Sequence, residues 1–390
     1  MKKLSLKIRL PKKTLPILIA AALVSFLMIY KLGSLVGGLS HQEAATANSS
    51  LGWHAIFDNP FYLPLKLVQA LIFPNHGQTL TRLPGTLLGI TAIAAFYLLI
   101  RVWHGRRTAV LTTLLFATGA WTLHASRLAT PDILYLWALP VLLLTNLGIH
   151  KKPDNVLVVY GSMLLWGSML YIPGMIWLLI FNTYLLFGDL AEVWQQFSKL
   201  WQRILYLLSG LIWLPLLIIG LTRPGSLKLW IGLPRQLASG LQLLKNLGEV
   251  FINLFVHGPQ NSQTWLGKAP VFDVFTLIMC ILGVYFYTRH FSAFRPRMLA
   301  GFGLLSVILV ALGLVSLSLL VPLFYIIAAA GIAYLLHEWL QVFPVNPLAR
   351  GVGLGLIFLA VGLASVYNLR AYFIAWPHNP STTPAFHYHR

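Results

Sequence analysis

Apolar runs of roughly bilayer length recur along this chain, separated by short polar or basic turns. An α-helix needs about 20 apolar residues to cross the hydrocarbon core, and the repeated run length predicts about eleven such helices. They are expected over 15–36, 83–103, 109–126, 132–149, 155–171, 173–191, 204–222, 271–288, 298–315, 317–339 and 351–370. The pattern predicts an all-α polytopic membrane protein. Residues 1–14 form a basic N-terminus, 15–370 the transmembrane domain, and 371–390 a short tail. Two connections, 37–82 and 223–270, are too long for simple turns. In the second, Leu233, Leu237, Leu241, Leu244, Val250, Phe251 and Leu254 recur near helical spacing, with Arg235, Lys245 and Glu249 between them. That spacing predicts an amphipathic helix lying at the membrane interface. In the first, Asp58-Asn59-Pro60 reads as a helix start.

Composition sharpens this picture. Of the 390 residues 58% are hydrophobic and only 9% charged, with a mean hydropathy of +0.76. A soluble domain carries about 25% charge, so a cytosolic enzyme, a disordered chain and a secreted disulfide scaffold are excluded. A single cysteine, Cys280, permits no internal disulfide and no paired-cysteine metal motif. The net charge of +19 would suit nucleic acid, but the basic residues are scattered between apolar runs. They read instead as orientation signals and contacts to anionic lipid, with no nucleic-acid partner.

The basic turns carry the orientation. The first thirteen residues, HGRR at 104–107, HKKPD at 150–154, Lys199 with Arg203, and RHFSAFRPR at 289–297 all fall on one side of the predicted membrane. The positive-inside rule makes that side cytoplasmic. The expected location is the plasma (inner) membrane, with the N-terminus inside and the C-terminus outside.

The chain has only nine acidic residues. Glu43, Asp58, Asp132, Glu249 and Asp273 fall on the outer side. A carboxylate at the membrane edge can take up a proton or bind a divalent metal. Each also has a structural reading. Thr130-Pro131-Asp132 has the form of a helix start, with Thr as cap and Asp against the positive end. Asp58 fits a cap, Glu43 sits in a polar loop, and Arg82 and Arg127 can snorkel at helix edges. His41, His54, His76 and His124 share the outer side but show neither HxH nor HExxH spacing, so no metal site is assigned. GxGxxG and P-loop patterns are absent from the sequence.

The order of the outer motifs resembles one family. His41-Gln42-Glu43-Ala44 follows the first helix, and Asp58-Asn59-Pro60-Phe61-Tyr62-Leu63-Pro64-Leu65 comes next. Arg82-Leu83-Pro84-Gly85 then opens the second helix, and Ser126-Arg127-Leu128-Ala129-Thr130-Pro131-Asp132 precedes the fourth. This series is similar to the C-type membrane glycosyltransferases that use polyprenyl-phosphate sugars, in particular the protein mannosyltransferase and aminoarabinose transferase branch. The resemblance spans residues 15 to 386. It implies transfer of a sugar from a polyprenyl monophosphate to a protein, lipid or glycan acceptor on the outer side, by one inverting displacement. By position it implies Glu43, Asp132 and Asp58 as catalytic candidates. Arg82 and Arg127, with Lys228, Arg223 and Arg370, become candidates for holding the lipid phosphate. No cofactor is required, although the carboxylates are compatible with a divalent metal.

Two positions depart from the family pattern. Gln42 stands where the first acid of an acidic pair is usual, and Ser316-Leu317-Ser318-Leu319-Leu320-Val321-Pro322 lacks the usual basic residue and Tyr before Leu-Pro. Two alternatives therefore stand beside the transferase. One is a non-catalytic polyprenyl-lipid-binding or scaffold member of the same fold. The other is a lipid or glycan transporter or flippase, which would call for internal repeats and mid-membrane charges.

Overall fold

A computed structural model describes residues 15–49, 53–72, 77–197, 199–233, 239–259, 261, 263, 266 and 269–387. The N-terminal basic stretch, His76, Arg235 and Leu237 lie outside the described residues. All regular elements among the described residues are helices. In chain order they are α1 (Leu15–Ile29), α2 (His41–Asn48), α3 (Trp53–Asp58), α4 (Leu63–Ile72), α5 (Gln78–His104), α6 (Arg106–Thr118), α7 (Ala120–Arg127), α8 (Asp132–Lys151), α9 (Val156–Met169) and α10 (Met175–Leu185). There follow α11 (Phe187–Gln196), α12 (Leu200–Gly210), α13 (Leu214–Thr222), α14 (Ser226–Ile231), α15 (Gly240–Phe255), α16 (Val274–Arg289), α17 (Phe294–Ala311), α18 (Leu320–Val342) and α19 (Pro347–Arg370).

The expected count of about eleven spans is not confirmed. Among the described residues, six helical segments are long and apolar enough to cross a membrane, or seven when the bent pair α10–α11 is taken as one. The shortfall has a local cause. Gly119 breaks the expected 109–126 span into α6 and α7, of 13 and 8 residues. A 66° bend splits 173–191 into α10 and α11. α9 and α16 run only 14 and 16 residues. Two helix starts also differ from expectation. Asp58 ends α3 rather than opening a helix, because Asn59 Oδ1 accepts the Phe61 N–H in a tight turn and the next helix waits for Leu63. α8 begins at Asp132 with Pro131 in the cap position and no side-chain cap bond, so Thr130 does not cap it.

Burial sorts the spans. The most apolar windows of α5, α8 and the 317–342 segment are 61%, 78% and 72% buried, against 11% for Leu200–Thr222. The first three form the centre of the bundle, and α12–α13 lies at its edge. The closest packing in the bundle is α16 against α18. A Cβ on Gly283 would stand 1.9 Å from the Ile327 carbonyl oxygen, and one on Gly331 2.0 Å from that of Met279. Small residues of this kind let two backbones approach where lipid supplies no hydrophobic drive. The two long connections fold into α2–α4 and α14–α15 at one end of the bundle, here the loop face. On α15, Leu241, Leu244, Phe251 and Ile252 are exposed while Val250 and Leu254 face inward, as an interfacial helix requires.

Gly283→Ala is therefore expected to cost about 3 kcal/mol, the upper end for overpacking. Gly355→Ala, whose added Cβ meets nothing within 4 Å, is expected to be neutral or mildly stabilising. Paired thermal melts in detergent check the contrast. Equal melting of the two variants would refute the close α16–α18 contact.

Candidate functional site

The first long connection is held by one carboxylate. Ser40 and Glu43 form a reciprocal capping box at the start of α2. The Ser40 N–H donates to Glu43 Oε2 at 2.8 Å, and the Glu43 N–H to Ser40 Oγ at 3.2 Å. The box turns the Glu43 side chain inward, where its exposure is 0%. Arg82, near the start of α5, donates Nε to Oε1 at 2.7 Å and Nη2 to Oε2 at 3.0 Å. The Ala129 N–H reaches Oε1 at 3.2 Å. Four donors thus fill the carboxylate, and no water reaches it. A carboxylate so placed has no free lone pair facing a cavity. The geometry fits an anchor rather than a base.

Both arginines named by the sequence are spent on backbone. Arg82, 1% exposed, also donates Nη1 to the Leu32 carbonyl at 3.1 Å and Nη2 to that of Gly38 at 2.6 Å. Arg127 closes the end of α1 by donating to the carbonyls of Leu27, Met28 and Tyr30. These belong to the last turn and exit of α1, where carbonyls have no intrahelical partner and a cation suits the dipole. The Arg127 guanidinium lies over the Tyr372 and Phe373 rings at 5.4 and 4.9 Å, and Arg82 lies 5.9 Å from the Phe386 ring. The segment after α19 therefore seals the same network. Neither arginine has a guanidinium face turned to an open site.

The remaining sequence candidates divide. The Asp58 carboxylate pairs with Arg223 at 2.9 Å across the loop face, with side chains 71% and 47% exposed. Exposed pairs of this type contribute less than about 1 kcal/mol, and each partner occupies the other. Lys228 on α14 and Arg370 at the end of α19 are exposed, and their side chains make no hydrogen bond or ion pair among the described residues. The structure does not bring them to either carboxylate.

Asp132 differs from Glu43 and Asp58. Half-buried at the start of α8, it accepts only the Ser316 hydroxyl, on Oδ1 at 2.6 Å. Its second oxygen has no hydrogen-bond partner among the described residues, and no cation pairs with it. Two phenols stand near it. Tyr135, one turn along α8, donates to the Pro173 carbonyl at 2.9 Å, and its ring oxygen meets that of Tyr62. Burial pushes the Tyr62 phenol above its ordinary range, with the Asp132 charge adding to the shift. Tyr62 is one of two non-glycine residues with left-handed backbone among the described residues, φ +63°, and its N–H donates to the Tyr171 carbonyl at 2.8 Å. Such a strained residue persists only where its surroundings fix it. Here they fix the phenol within electrostatic reach of Asp132, whose second oxygen is free.

Sequence reasoning missed four contributors. Tyr135 carries no signal in the sequence beyond lying in an apolar run, and Ser316 drew notice only as part of the stretch that lacks a basic residue and Tyr. Lys66 and Gln69 do carry one: they are polar residues three apart inside the apolar stretch Phe61–Phe73. Both are buried on the inner face of α4, at 2% and 0% exposure. Among the described residues, no three His, Cys, Asp or Glu side chains gather as a metal site would require.

No family model matches the sequence, and no curated protein matches it. Its fold is nevertheless similar to solved structures. ArnT, an aminoarabinose transferase from Cupriavidus metallidurans, in the apo state superposes with a TM-score of 0.59 at 12% identity, over 95% of this chain and 78% of that one. ArnT bound to undecaprenyl phosphate gives 0.52 at 12% identity, over 95% and 77%. The Archaeoglobus fulgidus oligosaccharyltransferase, tethered through a disulfide to an acceptor peptide containing the NVT sequon, gives 0.51 at 13% identity, over 95% and 55%. Both proteins are C-type membrane glycosyltransferases, and this chain has that fold.

Glu43→Gln should leave Arg82 buried without a counter-charge and cost about 3–5 kcal/mol. Adding Arg82→Gln should cost less than the sum of the two single changes, because the pair shares one interaction. Melting of the two single variants and the double variant checks this. A Glu43→Gln protein as stable as the parent would mean that the buried network is not what fastens the loop.

Proposed function

We propose that this membrane protein is a glycosyltransferase moving a sugar from a polyprenyl-phosphate carrier to an acceptor hydroxyl or amine at the loop face. In this reading the loop face is the outer side of the plasma membrane and the N-terminus is cytoplasmic, as the basic turns suggest. One observation carries the proposal. On a C-type glycosyltransferase fold, Asp132 is an outer carboxylate without an ion pair and with an unoccupied oxygen, while Glu43 is saturated and Asp58 is paired.

The chemistry asks little more of the protein. Asp132 Oδ2 takes the proton from the acceptor as the acceptor heteroatom bonds to the anomeric carbon. The bond from that carbon to the phosphate oxygen breaks, its electron pair stays on the phosphate, and the sugar inverts. A lipid phosphate is a good leaving group, so one base and one cationic pocket suffice. The Ser316 hydroxyl orients the carboxylate through Oδ1 and leaves Oδ2 for the proton. Tyr62, held protonated by burial, offers its phenol oxygen as an acceptor for a sugar hydroxyl, while the Tyr135 O–H is already given to the Pro173 carbonyl. The resemblance implied Glu43, Asp132 and Asp58 as catalytic candidates. We assign Glu43 to holding the loop and Asp132 to the proton.

A second reading has its own support. Gln42 is exposed on α2 where the family pattern has an acid, and an amide takes up no proton at neutral pH. A chain that binds the carrier lipid without transferring from it would look like this.

Proteoliposomes supplied with a set of polyprenyl-phosphate sugars separate the two readings. Asp132→Asn is expected to lower transfer about 100-fold or more, with unchanged melting and unchanged binding of the carrier lipid. If the parent protein binds the lipid but transfers no sugar, or if Asp132→Asn retains full transfer, the assignment fails.

A further inference from the structure

α4 carries an ammonium with no counter-ion. Lys66 is 2% exposed, its Nζ donates to the Asn59 carbonyl at 2.5 Å, and no carboxylate lies within ion-pair distance among the described residues. One turn on, Gln69 is fully buried, and neither its amide nitrogen nor its amide oxygen has a partner. A buried charge without its opposite, or a buried amide without hydrogen bonds, is disfavoured on folding. Two such groups at i and i+3 on one helix face point the same way. Apolar residues of the same size would pack there at no such cost.

The neighbouring titratable groups do not answer Lys66. On α3, Asp58 is paired with Arg223 on the surface and His54 is exposed. On α5, Arg82 is held by Glu43, while Tyr97, Arg101 and His104 lie four turns or more further along. Beside α9, the Tyr171 hydroxyl donates to the Ile212 carbonyl, and Tyr160 lies nearly three turns back along the helix. Lys66 thus keeps two N–H donors, and Gln69 keeps two donors and its acceptor oxygen. An oxyanion bearing several acceptors satisfies that set. A neutral apolar ligand does not.

We infer that Lys66 and Gln69 form a phosphate-ester pocket beneath α4, taking the phosphate of a polyprenyl monophosphate. This rests on the transferase reading for the pocket's role, that of stabilising the leaving phosphate, but not for the binding itself. Tyr62 links the two regions: its carbonyl begins α4 by accepting the Lys66 N–H, and its phenol stands beside Asp132. The burial that isolates Lys66 also pushes its ammonium down to about 8. Anion binding should therefore require the protonated form and weaken as pH rises above that value.

The test uses the full chain in detergent with three probes: a polyprenyl monophosphate, the matching polyprenol, and inorganic phosphate. At pH 7 the monophosphate is expected to bind at least tenfold more weakly to Lys66→Met and to Gln69→Met than to the parent. Ligand-free Lys66→Met should melt no lower than the parent, since it removes an unpaired buried charge, whereas a purely structural lysine would lower the melting point. Between pH 7.5 and 9.5 the parent's affinity should fall, while that of Lys66→Arg should stay flat. Stabilisation by inorganic phosphate that is lost in Lys66→Met would assign the pocket to phosphate from any source, and binding of the monophosphate alone would assign it to the lipid. Either result supports the inference. Equal binding of monophosphate by parent and Lys66→Met, or equal binding of polyprenol and monophosphate, overturns it and leaves the two groups to internal water. Asp132→Asn should bind the monophosphate normally, so a failure here and a failure of the transferase reading give different results.

Discussion

The loop face depends on one buried ion pair. The chain leaves α1 with carbonyls that have no helical partner, close to a membrane interior that offers few donors. Arg82 answers two of these carbonyls, Arg127 answers three, and Glu43 fixes Arg82 in place. Glu43 in turn is set by Ser40 through the capping box and receives the Ala129 N–H. Four segments distant in sequence, the exit of α1, the start of α2, the first turns of α5 and the approach to α8, therefore meet on one carboxylate. Asp132 stands three residues beyond Ala129, so its position is inherited from that junction.

The scarcity of acids makes the division of labour readable. Glu43 is saturated and enclosed, and Asp58 is shared with Arg223 at the surface. Asp273 caps α16 through both atoms of Thr276 and accepts Asn368. Asp132 retains an oxygen with nothing bound to it. A proton acceptor in catalysis must have such an oxygen, and must not be so stabilised as an anion that it refuses the proton. Placement relative to donors, rather than placement in a motif, decides which acid can act.

Much of the fold was legible because hydrocarbon admits few solutions. Long apolar runs must be helices, and the amphipathic character of α15 followed from its spacing. Where helices break was harder to read. Gly119 and the turn at Leu186 interrupt apolar runs that look continuous, because the cause is tertiary: a Cβ at Gly119 would stand 2.4 Å from the Tyr325 hydroxyl. For the site, the sequence singled out Glu43, Arg82, Arg127 and Asp132, which meet or neighbour one another, together with Asp58, Arg223, Lys228 and Arg370, which lie away from that junction. It could not tell an anchor from a base, since both are carboxylates in the same motif and differ only in how many donors surround them. Lys66 passed unremarked because an isolated lysine in an amphipathic helix ordinarily snorkels, and burial became visible only once α4 was seen folded against α5.

The similarity to ArnT and to the oligosaccharyltransferase at 12–13% identity has a physical explanation that also limits what it teaches. Lipid requires every backbone group to be satisfied within a helix or by a neighbour. Sequences can drift far under that constraint while the bundle persists, so a shared fold says little about which side chains do chemistry. What distinguishes this chain lies in groups the fold does not need. The Glu43–Arg82 junction serves the architecture and would be expected of any working version of it. An acid with an empty oxygen, a strained tyrosine beside it, and a lysine buried without a counter-charge serve no architectural purpose. The tyrosine and the lysine sit around one turn, Asn59 to Tyr62, with the acid in electrostatic reach of the tyrosine, and the simplest reason for a fold to hold such unfavourable groups is a polar ligand that completes them.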